Sequence, residues 1–218
     1  MELRIESALI LSPHTDDMEL GAGATVRKLI GRGVQVKSLV FSDCKKSVPS
    51  GFPEDTLRKE CQAAAAHLGI QDLTILEFPV REFPKFRQDI LQRVIDVRNA
   101  MKPDLVIAPW KDDLHQDHST LGREALRAFM RNQASVWSYQ VPGICPGFNP
   151  DIYVPLTEED VTSKIDMLQS YQTQALELKR DYFTAEKIRG FLSYFGTFAR
   201  IPYAEGFVNN KSVFKSLS

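Results

Sequence analysis

Two short apolar runs constrain this chain more than any other feature. Ala8-Leu-Ile-Leu11 and Leu105-Val-Ile-Ala-Pro109 carry no polar side chain, as expected of strands buried on both faces of a parallel sheet. Each leads through a polar loop into a stretch of helical periodicity. After the first, Leu20 to Gly33 sets Ala22, Val26, Leu29 and Gly33 along one face. After the second, a helix reaching about Arg131 carries Leu121, Ala125, Leu126, Phe129 and Met130. A strand feeding a helix in this way leaves its loop at the carboxyl edge of the sheet, where open α/β folds place their sites.

The rest of the chain repeats the alternation. Strands are expected at Val34–Ser42, Leu73–Phe78, Val136–Val141 and Ile152–Pro155, with a last short one near Glu205–Val208. Helices are expected from Pro53 to Leu68, ended by Gly69, and from Phe83 to Met101, stopped by Pro103. A further helix runs from Thr157 to about Gln174, where Thr157 with Asp160 has the form of a capping box. No repeat, low-complexity tract or linker divides the 218 residues. The expectation is one α/β domain over residues 1–218 with a mostly parallel sheet.

Charge and cysteine usage exclude several classes. The net charge is -1 with both signs mixed and no basic block, so no nucleic-acid partner is expected. No apolar run approaches the ~20 residues of a membrane span. The N-terminal Met-Glu-Leu-Arg-Ile-Glu is charged and lacks a signal peptide's apolar core. Cys44, Cys61 and Cys145 are odd in number and far apart, which argues for a reducing, cytoplasmic setting rather than a disulfide framework.

Three of the four histidines fall in the two loops after the apolar runs, each time beside carboxylates. A catalytic zinc takes three nitrogen and oxygen ligands and keeps one open position; His14, Asp17 and His118 supply such a set. Adjacent Asp16 and Asp17 repel each other when buried, a cost that a dication removes. One then binds metal while the other, Asp16, serves as general base. His115 and His118 are three apart and share one side of a helical first turn, so His115 can face substrate and stabilise an oxyanion. Fe²⁺ or Co²⁺ would suit the same nitrogen and oxygen donors as Zn²⁺.

The pattern His14-x-Asp16-Asp17-x-Glu19-x-Gly21-x-Gly23, followed by His115-x-Asp117-His118, resembles the PIG-L/LmbE-like family of zinc-dependent N-deacetylases. The similarity extends over residues 8 to 135, with a weaker echo in Arg58-Lys-Glu60 and in Ala204-Glu-Gly-Phe207. Thr15 and Gln116 stand where the family has prolines, and Ala24 where a glycine is common; none of these positions supplies chemistry. The resemblance implies a Rossmann-like three-layer sandwich and a zinc ion bound by His14, Asp17 and His118. It implies Asp16 as the base that activates water. His115 becomes the acid or oxyanion stabiliser, oriented by Asp117, and Arg58 a substrate contact. The implied substrate is an N-acetylglucosamine-containing conjugate.

Other readings are weighed on the same residues. An amidase acting on another acylated amine or thiol conjugate would use the same metal, base and acid. A non-catalytic sugar-binding module would have no use for Asp16 and His115. Gly21-Ala-Gly23 with Asp43 about 20 residues on echoes a dinucleotide fingerprint, but Val26 holds the third glycine position and three acids crowd the loop. Glu19 is expected as a first-turn acid favoured by the helix dipole. Asp113 is a candidate second support for the metal site, Trp110 a candidate sugar platform, and His67 has no expected role. Substrate choice is expected in the loops 45–51, 78–86 and 142–150. Their aromatics (Phe78, Phe83, Phe86, Phe148, and Phe52 beside them) would suit an acceptor pocket or a homo-oligomer interface equally.

Overall fold

The computed structural model describes residues 5–214, so the first four residues of the charged N-terminal run lie outside it. Strand β1 (Ser7–Ser12) pairs in parallel with β2 (Gln35–Val40) on one side and β4 (Leu105–Pro109) on the other. Outward from these lie β3 (Asp72–Ile75) and β5 (Ser135–Tyr139), also parallel. The order β3-β2-β1-β4-β5-β7-β6 completes a seven-stranded sheet. Strand β7 (Tyr203–Lys211) runs antiparallel to both β5 and β6 (Ile152–Leu156).

The apolar runs behave as their composition dictates. Ala8 and Ile10 of β1, with Leu105 and Ile107 of β4, join the core on one face; Leu9, Leu11, Val106 and Ala108 join the core on the other. Side chains alternate along a strand, so a run without polar residues needs cover on both sides. Helices α1 (Asp17–Gly31), α2 (Thr56–Leu68), α5 (Glu158–Leu168) and α6 (Ala185–Ala199) cover the first face. Helices α3 (Arg87–Met101) and α4 (Gln116–Phe129) cover the second. Each fully buried Leu or Ile contributes roughly 1.5–3 kcal/mol, enough to hold three layers without disulfides. All three cysteines are free and buried.

Glycines set how closely α1 approaches the sheet. A Cβ on Gly21 would stand 2.2 Å from Cδ2 of Tyr139 and 2.8 Å from the Gln140 carbonyl; one on Gly23 would meet Cε of Met167 at 2.8 Å. The two glycines therefore serve helix packing, and no phosphate cradle opens at them. That removes the main support for the dinucleotide reading.

Two elements differ from expectation. The helix expected to reach Gln174 ends at Leu168, though its capping box is present in both directions. The chain turns because Tyr171 is fully buried, its hydroxyl donating to the carbonyl of Thr15; a π-helical turn follows at Thr173–Glu177. The last strand is nine residues long rather than short. Glu205 and Gly206 obscure its pattern in sequence. In the fold Glu205 is buried at 2 % exposure, paired with the Lys164 ammonium at 2.5 Å, and accepts the N–H groups of Ala24 and Thr25 of α1.

Candidate functional site

Strands β1 and β4 lie side by side, and their chains continue to opposite flanks of the sheet. At that switch point the loops after the two strands open a crevice beyond the carboxyl ends. The loop after β1 spans only 13–16. Its shape is held by Ser12, whose hydroxyl donates to the His14 carbonyl at 2.7 Å and accepts the Met18 N–H at 3.2 Å. Helix α1 starts at Asp17, earlier than its apolar periodicity suggested, so Asp16 is its N-cap. Helix α4 likewise starts at Gln116 with His115 as N-cap. Asp117 and His118 therefore project from a rigid first turn rather than a loop.

These turns bring the two histidine motifs together. Nδ1 of His14 lies 2.9 Å from Oδ2 of Asp17 and 3.2 Å from Nε2 of His118; the same Asp17 oxygen is 3.2 Å from Nε2 of His118. Three donors so spaced suit a common ion, since tetrahedral ligands at ~2.1 Å stand roughly 3.4 Å apart. Nitrogens of His14, His115 and His118 also lie within 4.8 Å of one another. Asp17 makes the tighter third member, because Nδ1 of His115 already accepts the Asp117 N–H at 3.2 Å.

Each of the two closest histidines is backed by a buried carboxylate. Nδ1 of His118 meets Oδ2 of Asp113 at 2.9 Å, and that oxygen also accepts from the Cys145 thiol. Nε2 of His14 meets Oδ2 of Asp117 at 3.0 Å. Asp117 was expected to orient His115; its carboxylate instead orients His14 and accepts the N–H groups of Arg81 and Phe83 at 2.6 and 3.1 Å. The cause is the helical turn, which aims the Asp117 side chain across the crevice while only its backbone reaches His115. Arg81 is held at a φ of +68°, a left-handed conformation costly for arginine.

Burial disfavours charge on His14, yet Asp17 and Asp117 push its pKa up to about 9. Burial also opposes charge on His118, but Asp17 and Asp113 push it up to about 10. Asp17 goes well below the usual carboxylate range, because the two histidines overcome its burial. Asp16 moves the other way, to about 6, through burial first and then the Asp17 charge. His115 is pushed down to about 4 by burial and by His118 and His14, so it is neutral near pH 7. Glu19 is a first-turn acid of α1, as expected, but a buried one. It is 1 % exposed, burial pushes its pKa up to about 8, and its Oε2 has no partner among the described residues.

A cleft of about 150 Å³ opens over these groups, lined by His14, Asp16, Asp17, His115 and His118. All three loops expected to shape it contribute: Ser47, then Val80 and Arg81, then Ile144. Sequence reasoning missed the wall formed by Gln174, Arg180 and Tyr182, which no local motif signals. Arg58 is not in the cleft wall; its guanidinium sits 3.2 Å from Glu77 and 3.6 Å from Asp43. Trp110 packs edge-on against Phe148 outside the cleft. His67 is exposed, its ring 3.4 Å from the Ser163 hydroxyl.

The PIG-L family model, described as GlcNAc-PI de-N-acetylase, matches residues 9–129, which include both histidine motifs. The chain belongs to the PIG-L family. Among curated relatives of this PIG-L chain, the diacetylchitobiose deacetylase of Thermococcus kodakarensis is 26% identical over 226 residues, covering 93% of this chain and 82% of that one. The N,N'-diacetylchitobiose deacetylase of Pyrococcus horikoshii superposes with a TM-score of 0.73 at 20% identity, over 93% of this chain and 83% of that one. The 4-carboxy-2-hydroxymuconate hydratase of Pseudomonas putida superposes with a TM-score of 0.78 at 20% identity, over 98% and 100%. The fold thus carries more than one reaction, and the chemistry has to be argued from the site. Among the described residues no helix is long and apolar enough to cross a membrane.

Proposed function

We propose that this chain, acting as one domain over residues 1–218, hydrolyses the N-acetyl group of an amino-sugar conjugate at a zinc ion held by His14, Asp17 and His118. The observation that carries this reading is the triangle of their donor atoms, 2.9–3.2 Å on each edge, with Asp16 and His115 facing the same cleft. Family membership and the deacetylase relative support the amide as the bond broken. Asp113 and Asp117 hold the two imidazoles in their ligating orientation, as outer carboxylates do at metal-bound histidines.

A dication bound there supplies a Lewis acid that polarises the acetyl carbonyl and acidifies water. Asp16, with its pKa near 6, is ionised at neutral pH and accepts the proton of the attacking water. His115 is neutral, and because its Nδ1 accepts the Asp117 N–H, its proton sits on Nε2. That Nε2–H donates to the oxygen on which negative charge develops. Protonated Asp16 then returns its proton to the departing nitrogen, leaving acetic acid and a free amine, between which a proton passes to give acetate and ammonium at neutral pH. His115 on this account works as a neutral donor rather than as an acid.

Buried free thiols suit a cytoplasmic setting, and the near-neutral net charge gives no handle for nucleic acid. Elemental analysis of the purified protein beside its His14→Ala/His118→Ala double variant, coupled to acetate release from N-acetylated amino sugars, tests the reading. About one zinc per chain, lost with the activity in the variant, supports it. A wild type that takes up no added Zn²⁺ overturns it. Activity only with acylated amines that are not sugars keeps the metal site and replaces the substrate.

A further inference from the structure

The thiol of Cys145 links the segment between β5 and β6 to the metal triangle. Its Sγ lies 3.0 Å from Oδ2 of Asp113, the oxygen that also meets Nδ1 of His118 at 2.9 Å. Oδ1 of the same carboxylate accepts the His115 N–H at 2.7 Å. Asp113 therefore touches the ring of a candidate ligand and the backbone of the candidate oxyanion donor, with its own side chain 1 % exposed. A carboxylate buried that far needs hydrogen-bond donors around it. Burial, then the hydrogen bond with Asp113, push the Cys145 pKa up, so the sulfur keeps its proton and is the donor of the pair.

The chain around Cys145 is shaped to deliver that thiol. Gly143 and Gly147 flank it at φ of +87° and +81°, left-handed conformations that glycine adopts without steric cost. Between them the Ile144 carbonyl accepts the Leu114 N–H at 3.1 Å, and beyond them Phe148 packs edge-on against Trp110. Backbone and ring contacts thus dock the segment on the stretch 110–114, and the thiol carries the docking inward to Asp113. We infer that Cys145 is a positioning residue of the metal site: its S–H fixes the Asp113 carboxylate in the plane that holds His118 with Nε2 toward the ion. The inference rests on the metal reading above. Without the thiol, Oδ2 of Asp113 keeps only the imidazole as a donor among the described residues. The terminal torsion of an aspartate is soft, so the carboxylate is then free to turn, and the ring it holds turns with it.

The test uses the full chain with Cys145→Ala, which removes the donor, and Cys145→Ser, which keeps one. Competition with a chromophoric chelator reads zinc affinity. The visible absorption of the Co²⁺-loaded protein reads the ligand field, since Co²⁺ accepts the same nitrogen and oxygen donors. Cys145→Ala is expected to weaken zinc binding about three- to tenfold, less than the loss of a group that touches a ligand directly, and to shift the Co²⁺ bands. Cys145→Ser is expected to stay within about twofold of the wild type, with wild-type bands. In an Asp113→Ala background Cys145→Ala should add nothing further, because the thiol then has no carboxylate to hold. Cys145→Val, also without a donor, replaces Cys145→Ala if that variant does not fold, with the same expectations. Wild-type affinity and bands in the donor-free variant, equal losses with and without the donor, or losses that add in the double variant each overturn the inference and leave the metal reading standing. A wild type that takes up neither Zn²⁺ nor Co²⁺ overturns the metal reading, and this inference with it.

Discussion

Oδ2 of Asp117 stands 3.0 Å from Nε2 of His14, across 103 positions of sequence. The same carboxylate ties down the backbone of Arg81 and Phe83, so one buried side chain joins the first histidine motif, the second, and the loop between β3 and α3. Replacing it should act on metal affinity before it acts on chemistry. Asp117→Ala is expected to weaken zinc binding about 10- to 100-fold, and Asp117→Asn by less, since an amide oxygen can still accept one of the N–H groups. Competition against a chromophoric chelator reads both; unchanged affinity in Asp117→Ala would reject the orienting role.

Asp16 must be ionised to accept a proton. Its pKa is pushed up to about 6, so kcat/KM is expected to fall as pH drops through that value and to level off above it. Zinc bound to Asp17 would offset the negative charge that helps raise Asp16, so in the zinc-loaded protein the fall is expected at or below that pH. Asp16→Asn should retain zinc and lose ~10²–10⁴ of the rate. A variant with full zinc and full activity would remove Asp16 from the mechanism.

Metal uptake should release protons. With His14 near 9 and His118 near 10 in the metal-free protein, both rings are protonated at pH 7, and both must lose that proton to become ligands. Titration calorimetry in buffers of different ionisation enthalpy is expected to show about two protons released per zinc at pH 7. Affinity should rise as pH increases toward 9. Zero proton release would mean that both rings are already neutral in the metal-free protein, and would reject the hold of the flanking carboxylates on their protons.

Gly21 and Gly31 lie on the same helix with opposite surroundings. A methyl at Gly21 meets the Tyr139 ring at 2.2 Å and the Gln140 carbonyl at 2.8 Å, whereas one at Gly31 meets nothing within 4 Å. Tyr139 cannot swing aside, because it is fully buried with its hydroxyl bonded to the Leu11 carbonyl. Gly21→Ala is expected to cost ~1–3 kcal/mol of stability, and Gly31→Ala to be neutral or stabilising by up to ~1 kcal/mol. Urea unfolding of both variants checks this. Equal midpoints would refute the close approach of α1 to β5.

Glu205 leaves a buried cation behind when removed. Glu205→Ala strands the Lys164 ammonium at 3 % exposure and two N–H groups of α1. Breaking such a pair costs roughly 3–5 kcal/mol. Urea denaturation should show a loss of that size; a loss below about 1 kcal/mol would mean that water reaches the pair.

The central sheet was legible because its evidence is local. Ala8–Leu11 and Leu105–Pro109 lack any polar residue, and a chain can bury such runs on both sides only between two helix layers. The candidate ligands were legible for the same reason. His14, Asp16 and Asp17 lie within four residues, as do His115, Asp117 and His118, and the ends of two neighbouring parallel strands carry both groups to one crevice. What remained hidden depends on partners distant in the chain. Asp117 reaches His14 rather than His115 because α4 begins one residue before it. Arg58 is drawn away from the cleft wall by the carboxylates of Glu77 and Asp43, which lie 19 and 15 positions from it in sequence. Glu19 is buried because Tyr171 folds back over the first loop. Arg180 and Tyr182 enter the cleft wall only after α5 stops at Leu168, a turn that a continuous helical pattern conceals. Residue type and short spacing specify which groups can do chemistry; the direction of each side chain and the walls around it follow from long-range packing, which a linear pattern does not encode.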